Sequence, residues 1–337
     1  MRRARVQQHP GSCDHTIPWS GSVIHRACCP TALYGGGVEP LLLITNVDAG
    51  GGRDEGLEVA LGVLREDADV EVAHTSNPGE LDGVLHRAGC RQIVVAGGDG
   101  SLHAVVKALY RRHELAKRTL GLIPLGTGND FARTLGIPLD PGEAAAALMT
   151  GESRPMDLIL DELGGVVVNS VHAGASAQAS RRGARWKDRL GPYGFGILGY
   201  PIGAAMAAVR PPFVRLRIEA DGEVISDMDQ HILMIAVGNG TSVGGGTELT
   251  PDADPEDGKL DVMVSFATGP LERLAYVWQL RSAEHEKRED VISIRAHQVT
   301  VSGEDFFLAA DGEISGPERR RSWHLEQAAY SMIVPQR

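Results

Sequence analysis

Two aspartates set in glycine turns are the residues whose chemistry can be read first. Asp99 lies in Gly97-Gly98-Asp99-Gly100-Ser101, directly after the apolar residues 93–96. Asp130 lies in Gly126-Thr127-Gly128-Asn129-Asp130-Phe131, directly after the apolar residues 120–125. Glycine lets backbone N–H groups approach an anion, and a helix that starts at the turn favours negative charge. An aspartate in the same turn repels phosphate unless a cation lies between them, so the pattern suggests a phosphate carrying Mg²⁺. One such turn reads equally well as an ordinary turn capped by its aspartate. Two at neighbouring strand ends favour a ligand, because open α/β sheets bind at the carboxyl ends of their strands. A third glycine turn, N-V-D-A-G-G-G-R, occupies residues 46–53. No G-x-x-x-x-G-K-[ST] is present, and Phe131 stands where the last glycine of G-x-G-x-x-G would be. Those absences exclude a P-loop and a nicotinamide fingerprint and leave a phosphate donor of another kind.

Apolar spacing predicts the elements that place these turns. Leu102, Val105, Val106 and Leu109 recur at i, i+3, i+4 and i+7, one face of a helix. Leu57, Ala60, Leu61 and Leu64 mark another helix, and Leu81, Val84, Leu85 and Ala88 a third. Residues 41–45 read as a buried strand. Val70 and Val72 alternate in the next, which ends at His74-Thr75. The order β-α-β-α-β-α-β predicts a parallel sheet with crossover helices. Asp140-Pro141-Gly142-Glu143 opens a further helix as a capping box, and Gly151 ends it. Past residues 152–156 the pattern changes. Met156, Leu158 and Leu160 alternate, Gly164-Gly165 turns, and residues 166–168 return as a hairpin. Val214, Leu216 and Ile218 lead to Asp221-Gly222, a second hairpin signal. Leu260, Val262, Val264 and Phe266 alternate, as do Val299 and Val301 before residues 306–310. Helical spacing returns only near residues 271–280. The second half is therefore mainly antiparallel β, and residues 1–38 read as an unstructured tail.

The chain has 337 residues, enough for two domains, and a net charge of −11 that argues against a general nucleic-acid binder. Its four cysteines, Cys13, Cys28, Cys29 and Cys90, form no C-x-x-C and no disulfide framework, which suits a reducing cytoplasm. Arg2, Arg3 and Arg5 precede no apolar run of secretory-signal length. From Arg181 to Arg189 lie five basic residues, one acid and Trp186, followed from Leu190 to Val209 by twenty uncharged residues. Five glycines and two prolines in the latter argue against a membrane span. The pair of stretches suits a peripheral membrane contact as well as it suits a solvated helix followed by a buried one.

G-G-D-G-S-L-H (residues 97–103) and P-L-G-T-G-N-D-F-A-R (residues 124–133) resemble the diacylglycerol kinase catalytic domain family, which includes sphingosine, ceramide and bacterial lipid kinases. Residues 237–261, V-G-N-G-T-S-V-G-G-G-T-E-L-T-P-D-A-D-P-E-D-G-K-L-D, and A-A-D-G-E (residues 309–313) fit it too. G-G-D-G alone is shared with NAD kinases and phosphofructokinases; the four motifs in this order are specific, and the resemblance runs from about Leu41 to the C-terminus. It implies an NAD kinase/phosphofructokinase-like α/β nucleotide-binding domain at 39–155. It further implies a β-sandwich lipid-substrate domain at 156–319, a return of 320–337 to the first domain, and ATP with Mg²⁺ in the cleft. By position, Asn46, Asp48, Gly50, Thr75, Gly97, Gly98, Asp99, Gly100, Ser101, His103, Gly126, Thr127 and Asn129 would line the nucleotide. Asp99 would hold the nucleotide's Mg²⁺ through water, and Glu313 would be the general base, with Asp99 a rival base and Asp130 a third catalytic carboxylate.

The acidic loop at residues 251–259 fails an EF-hand count from Asp252, since Asp257 sits at the sixth position and Met263 at the twelfth. The resemblance instead implies a structural Mg²⁺ held by the Asp257 side chain and the Asp254 and Lys259 carbonyls. Three departures stand out. The first turn is N-V-D-A-G rather than N-P-x-[SA]-G, Ser101 replaces the common threonine, and His103-Ala104 replaces the common Asn-Glu. The implied activity is ATP-dependent phosphorylation of a lipid hydroxyl, diacylglycerol or a related lipid. The protein would be cytoplasmic or peripheral at the inner membrane face, with the oligomeric state open, a homodimer included. An NAD kinase and a non-catalytic lipid- or nucleotide-binding protein remain alternatives.

Overall fold

Two of four parallel strands carry the described glycine turns at their carboxyl ends. The computed structural model describes residues 41–46, 53–89, 91–175, 177, 213–280 and 282–336. Strands β1 (Leu41–Asn46), β2 (Val70–Thr75), β3 (Ile93–Gly97) and β4 (Thr119–Pro124) pair in the order β2-β1-β3-β4. Helices α1 (Arg53–Asp67), α2 (Pro78–Arg87) and α3 (Asp99–Arg111) make the crossovers, and the short α4 (Asp130–Thr134) and α5 (Pro141–Thr150) follow β4. Strand alternation sorts the two faces. Leu43, Val94, Ala96 and Ile123 pack under α1 and α5, whereas Leu42, Ile44, Ile93, Val95, Leu120 and Leu122 pack under α2 and α3. Helices therefore cover both faces, and the strand order reverses between β1 and β3. Ligands of open α/β sheets bind outside the carboxyl ends at such a reversal.

The caps are local. Asn77 accepts the Glu80 N–H at the start of α2, and Asp140 accepts those of Gly142 and Glu143 at the start of α5. Gly151 ends α5, but in extended backbone rather than as a left-handed cap. A side chain there would stand 2.5 Å from the Val334 carbonyl, so the glycine serves close approach of the last strand.

The second half is antiparallel: β5 (Glu152–Asp161), β6 (Val166–Val167), β7 (Ser170–Gly174), β8 (Leu216–Ala220), β9 (Glu223–Ser226), β10 (Met234–Gly238), β11 (Ser242–Val243), β12 (Thr247–Glu248), β13 (Leu260–Ser265), β14 (Val291–Ala296), β15 (Gln298–Ala310) and β16 (Glu313–Val334), with α6 (Pro270–Leu280) between β13 and β14. The β5–β6 and β8–β9 hairpins fall where the turn signals predict them. The order β14-β13-β10-β7-β15-β16 continues into β4, because Ser331 and Met332 pair in parallel with Thr119 and Leu120. β5 runs antiparallel along β16, with an irregularity between Glu326 and Tyr330.

This β5–β16 ribbon carries both cores. Met156, Leu158, Leu160, Tyr330, Met332 and Val334 bury in the core under α2 and α3, while Ile159 and Trp323 bury in the core of the antiparallel half. The passage between halves is thus made of two paired strands. Such a ribbon resists hinge motion more than a single chain segment does, since bending it would break ladder bonds and two apolar cores together.

Candidate active site

The two glycine turns meet backbone to backbone. A side chain on Gly126 would stand 2.5 Å from the Gly98 Cα, and one on Gly98 would stand 2.9 Å from the Gly126 Cα. Gly97 lies under Ser101, whose Oγ would be 2.4 Å from an added Cβ. Asn129, in left-handed backbone, closes the second turn on itself: its Oδ1 accepts the Gly126 N–H and its Nδ2 donates to the Gly126 carbonyl, both at 2.9 Å. Thr127 is left exposed at the tip. α3 starts after Gly98 with no side-chain cap. Its first N–H groups and its dipole therefore face the rim, as an anion requires.

Asp99 and Asp130 chain the turns together. The Asp99 carboxylate accepts the backbone N–H groups of Asp130 (3.1 Å) and Phe131 (3.0 Å). The buried Asp130 carboxylate accepts those of Gly245 (3.0 Å) and Gly246 (2.7 Å) and the Ser242 hydroxyl (3.3 Å). Gly244, Gly245 and Gly246 all have positive φ, which a glycine run permits and side-chain-bearing residues rarely adopt. The antiparallel half is thereby fastened to the rim of the parallel half, and Thr134 and Thr241 add a second contact, with the Thr134 hydroxyl accepting the Thr241 N–H at 3.0 Å.

Gly128 marks the space between the two carboxylates. A Cβ placed there would stand 3.1 Å from an Asp99 oxygen and 3.2 Å from an Asp130 oxygen. Burial pushes the Asp99 carboxyl above its ordinary range, and the charges of Asp130 and Asp311 push the same way against the two N–H bonds. A cation in that space would reverse the penalty. Mg²⁺ commonly takes one or two carboxylates plus phosphate oxygens rather than a full protein cage. Among the described residues no group of three or more His, Cys, Asp or Glu side chains converges as a metal site, so a cation beside these two acids would take its other ligands from the nucleotide and water.

The other expected residues are spread more widely, from the ends of β1 and β2 to a point two turns into α3. Asn46 and Thr75 face each other at the ends of β1 and β2, and the buried Thr75 hydroxyl donates to the Thr45 carbonyl. Gly100 is exposed in the first turn of α3. Asp48 and Gly50 lie outside the described residues, as do residues 1–38 and the stretch from Arg181 to Val209. His103, one turn into α3, is buried with its Nδ1 2.7 Å from Asp311. Glu313 is exposed at the start of β16, 3.5 Å from the Lys107 ammonium.

The acidic loop sits apart from this rim, against the ribbon. Buried Asp157 of β5 accepts the N–H groups of Gly258 (2.7 Å) and Ala328 (2.8 Å). Asp254 accepts the Glu256 N–H, and Asp257 accepts the Lys259 N–H while ion-paired to Arg295. A cation coordinated by Asp257 would compete with that guanidinium. Sequence reasoning did not single out Gly128, Asp157, Asp311 or Lys107. Asp311 and Gly128 stand inside motifs that were read, but their partners are remote in the chain.

Fold and rim together define an α/β protein with a glycine-lined rim, suited to an anion, where its two halves meet. Comparison with known proteins narrows this. The diacylglycerol kinase catalytic domain profile matches residues 40–160, and that of the YegS C-terminal NAD kinase beta sandwich-like domain matches residues 169–330. The chain is 29% identical over 307 residues to "Probable lipid kinase YegS-like" of Pectobacterium atrosepticum, covering 88% of this chain and 97% of that one. It is 33% identical over 238 residues to a diacylglycerol kinase of Staphylococcus aureus, covering 70% and 72%. A solved diacylglycerol kinase structure from Bacillus anthracis matches with a TM-score of 0.68 at 25% identity, over 88% of this chain and 97% of that one. The chain belongs to the diacylglycerol kinase family of lipid kinases.

Proposed function

We propose that the protein transfers the γ-phosphoryl group of ATP to the hydroxyl of diacylglycerol or a closely related lipid, with Glu313 as general base. The observation that carries this reading is the pair of carboxylates, Asp99 and Asp130, facing the Gly128 space beside the uncapped start of α3. Gly97, Gly98, Gly100 and Gly126 let the backbone approach the phosphates, and Ser101 and Thr127 offer hydroxyls at the same rim. Mg²⁺ bound between Asp99 and Asp130 would neutralise phosphate charge. Glu313 takes the proton of the attacking hydroxyl as its oxygen bonds to phosphorus, and ADP leaves with the electrons of the broken P–O bond. Positioning and charge stabilisation supply most of the acceleration in phosphoryl transfer, and a general base typically adds about 10²–10⁴-fold. Glu313→Gln should therefore lose at least ~10²-fold in turnover while MgATP still binds. Wild-type turnover in that variant would remove Glu313 from the mechanism.

The acceptor is tested by offering labelled ATP with diacylglycerol vesicles, with a total lipid extract, and with NAD. Product from NAD alone would favour the NAD kinase reading suggested by the second matched profile. Among the described residues no helix is long and apolar enough to cross a membrane. The peripheral contact proposed for Arg181 to Val209 gains support from α6, where Leu271, Leu274 and Trp278 are exposed along one face. An indole with leucines at helical spacing suits shallow insertion at a lipid surface.

A further inference from the structure

Asp311 stands at the point where the two halves grip each other. With Gly312 it forms the two-residue turn joining β15 to β16, both residues at positive φ (44° and 86°), and Ala310 pairs with Glu313 across it. This is the backbone of a tight hairpin that favours Asp-Gly. The Asp311 carboxylate accepts four donors. Oδ1 takes the N–H groups of Asn169 (2.9 Å) and Ser170 (3.2 Å); Oδ2 takes the Val168 N–H (2.7 Å) and the His103 ring at Nδ1 (2.7 Å). A carboxylate offers about four acceptor sites, so this one is filled as an acceptor only, and His103 must carry its hydrogen on Nδ1. Three of the four donors are consecutive in the chain, Val168 and Asn169 of the loop between β6 and β7 and Ser170, which opens β7. The fourth, His103, belongs to α3, the helix that starts at the Gly97–Ser101 turn.

The pair is closed to solvent, with 8% of the His103 side chain and 3% of the Asp311 side chain exposed. His103 Nε2 is buried and lacks a protein partner. An imidazole that leaves one nitrogen orphaned is tolerated only where its other nitrogen gives something in return. Glu313 itself has a weak anchor, the solvent-exposed ion pair with Lys107 one helical turn beyond His103. Its position is therefore set mainly through the hairpin, and the hairpin is tied to α3 through His103.

We propose that His103 is a positioning residue: by holding Asp311 it registers the Asp311–Gly312 hairpin, and with it Glu313, against the phosphate-binding turn. The proposal rests on the reading of Glu313 as general base. An asparagine at position 103, the residue common in the family, can donate from Nδ2 at nearly the place of the histidine Nδ1. Glutamine carries its amide one carbon further out, and alanine donates nothing.

Steady-state kinetics on the full chain test the idea with His103→Ala, His103→Asn and His103→Gln, each singly, and His103→Ala combined with Glu313→Gln. A misplacement of about 1 Å costs on the order of 10²-fold, so kcat should fall by about that factor in His103→Ala. The KM for ATP should hold, His103→Asn should recover most of the loss, and His103→Gln should not. The double variant should be no slower than Glu313→Gln, because the base that His103 places is already gone. Wild-type kcat in His103→Ala, or losses that multiply in the double variant, would overturn the positioning role and leave Glu313 as the base. Wild-type turnover in Glu313→Gln alone would instead overturn the base, and this proposal with it. Should His103→Ala fail to fold, equal activity of His103→Asn and His103→Gln would overturn the proposal, and activity in asparagine alone would support it.

Discussion

Gly128→Ala separates the proposed cation space from the stability of the fold. Gly128 is not in left-handed backbone, so alanine is conformationally acceptable there. Its methyl would meet the Asp99 and Asp130 oxygens at 3.1 and 3.2 Å, a few tenths of an ångström inside ordinary contact. Both carboxylates are held by backbone N–H groups, so relieving the contact stretches those bonds slightly. The strain is offset by the lower unfolded-state entropy of alanine, about 0.4–1 kcal/mol, so net stability should change by less than about 1 kcal/mol. The methyl nevertheless stands against both acids, where a cation shared between them would have to enter. In the wild type, MgATP at a hundredfold excess over its Kd should add about 2.7 kcal/mol. At about 2 °C per kcal/mol for a chain of this size, that raises the thermal midpoint by roughly 5 °C. The assay is thermal unfolding with and without MgATP, with ATP plus EDTA as the control. Gly128→Ala should unfold at the wild-type midpoint without ligand and show little MgATP shift. A full shift in the variant would mean that the nucleotide's cation is held elsewhere, and the phosphate site would have to move with it.

Other perturbations address the remaining parts. Asp157→Ala leaves the Gly258 and Ala328 N–H groups without their acceptor, so it should lose about 2 kcal/mol or more by urea unfolding; an unchanged midpoint would deny the loop's anchorage to the ribbon. Asp261 is pushed up to about 6, first by burial and then by Glu286, Asp252 and Asp254, and one of its oxygens is buried without a hydrogen bond. A carboxyl raised in the folded state stabilises fully below its ordinary 3.8 and loses that contribution as pH climbs to about 6. In EDTA, Asp261→Asn should therefore gain on the wild type between those two values and hold a constant advantage above them; a flat difference in urea midpoint across the range would refute the burial argument. Leu271→Asp with Leu274→Asp should lower turnover on diacylglycerol vesicles several-fold and spare detergent-dispersed short-chain substrate, and equal losses on both would argue against lipid contact through α6.

What could be read from residues alone is what depends on near neighbours in the chain. Apolar spacing located α1, α2 and α3, since helix faces and strand faces follow a period of a few residues. The cap at Asp140 and the hairpins at Gly164 and Gly222 are equally local. The two glycine turns pointed to a phosphate site for the same reason, because close backbone approach has a signature within five or six residues, and their backbones do meet at Gly98 and Gly126.

Side-chain commitments across the chain have no such signature. Asp130 finds Gly245 115 residues away, and His103 finds Asp311 208 residues away. Which oxygen each donor meets is decided when β16 threads between β15 and β4 and carries one core into the next. The order of the turns was therefore written in the sequence, whereas the grip between the halves, and the residues that hold Glu313 in place, came only with tertiary packing. Hydrogen bonds of that range are selected by the geometry of the assembled sheet and not by any local preference of the residues that make them.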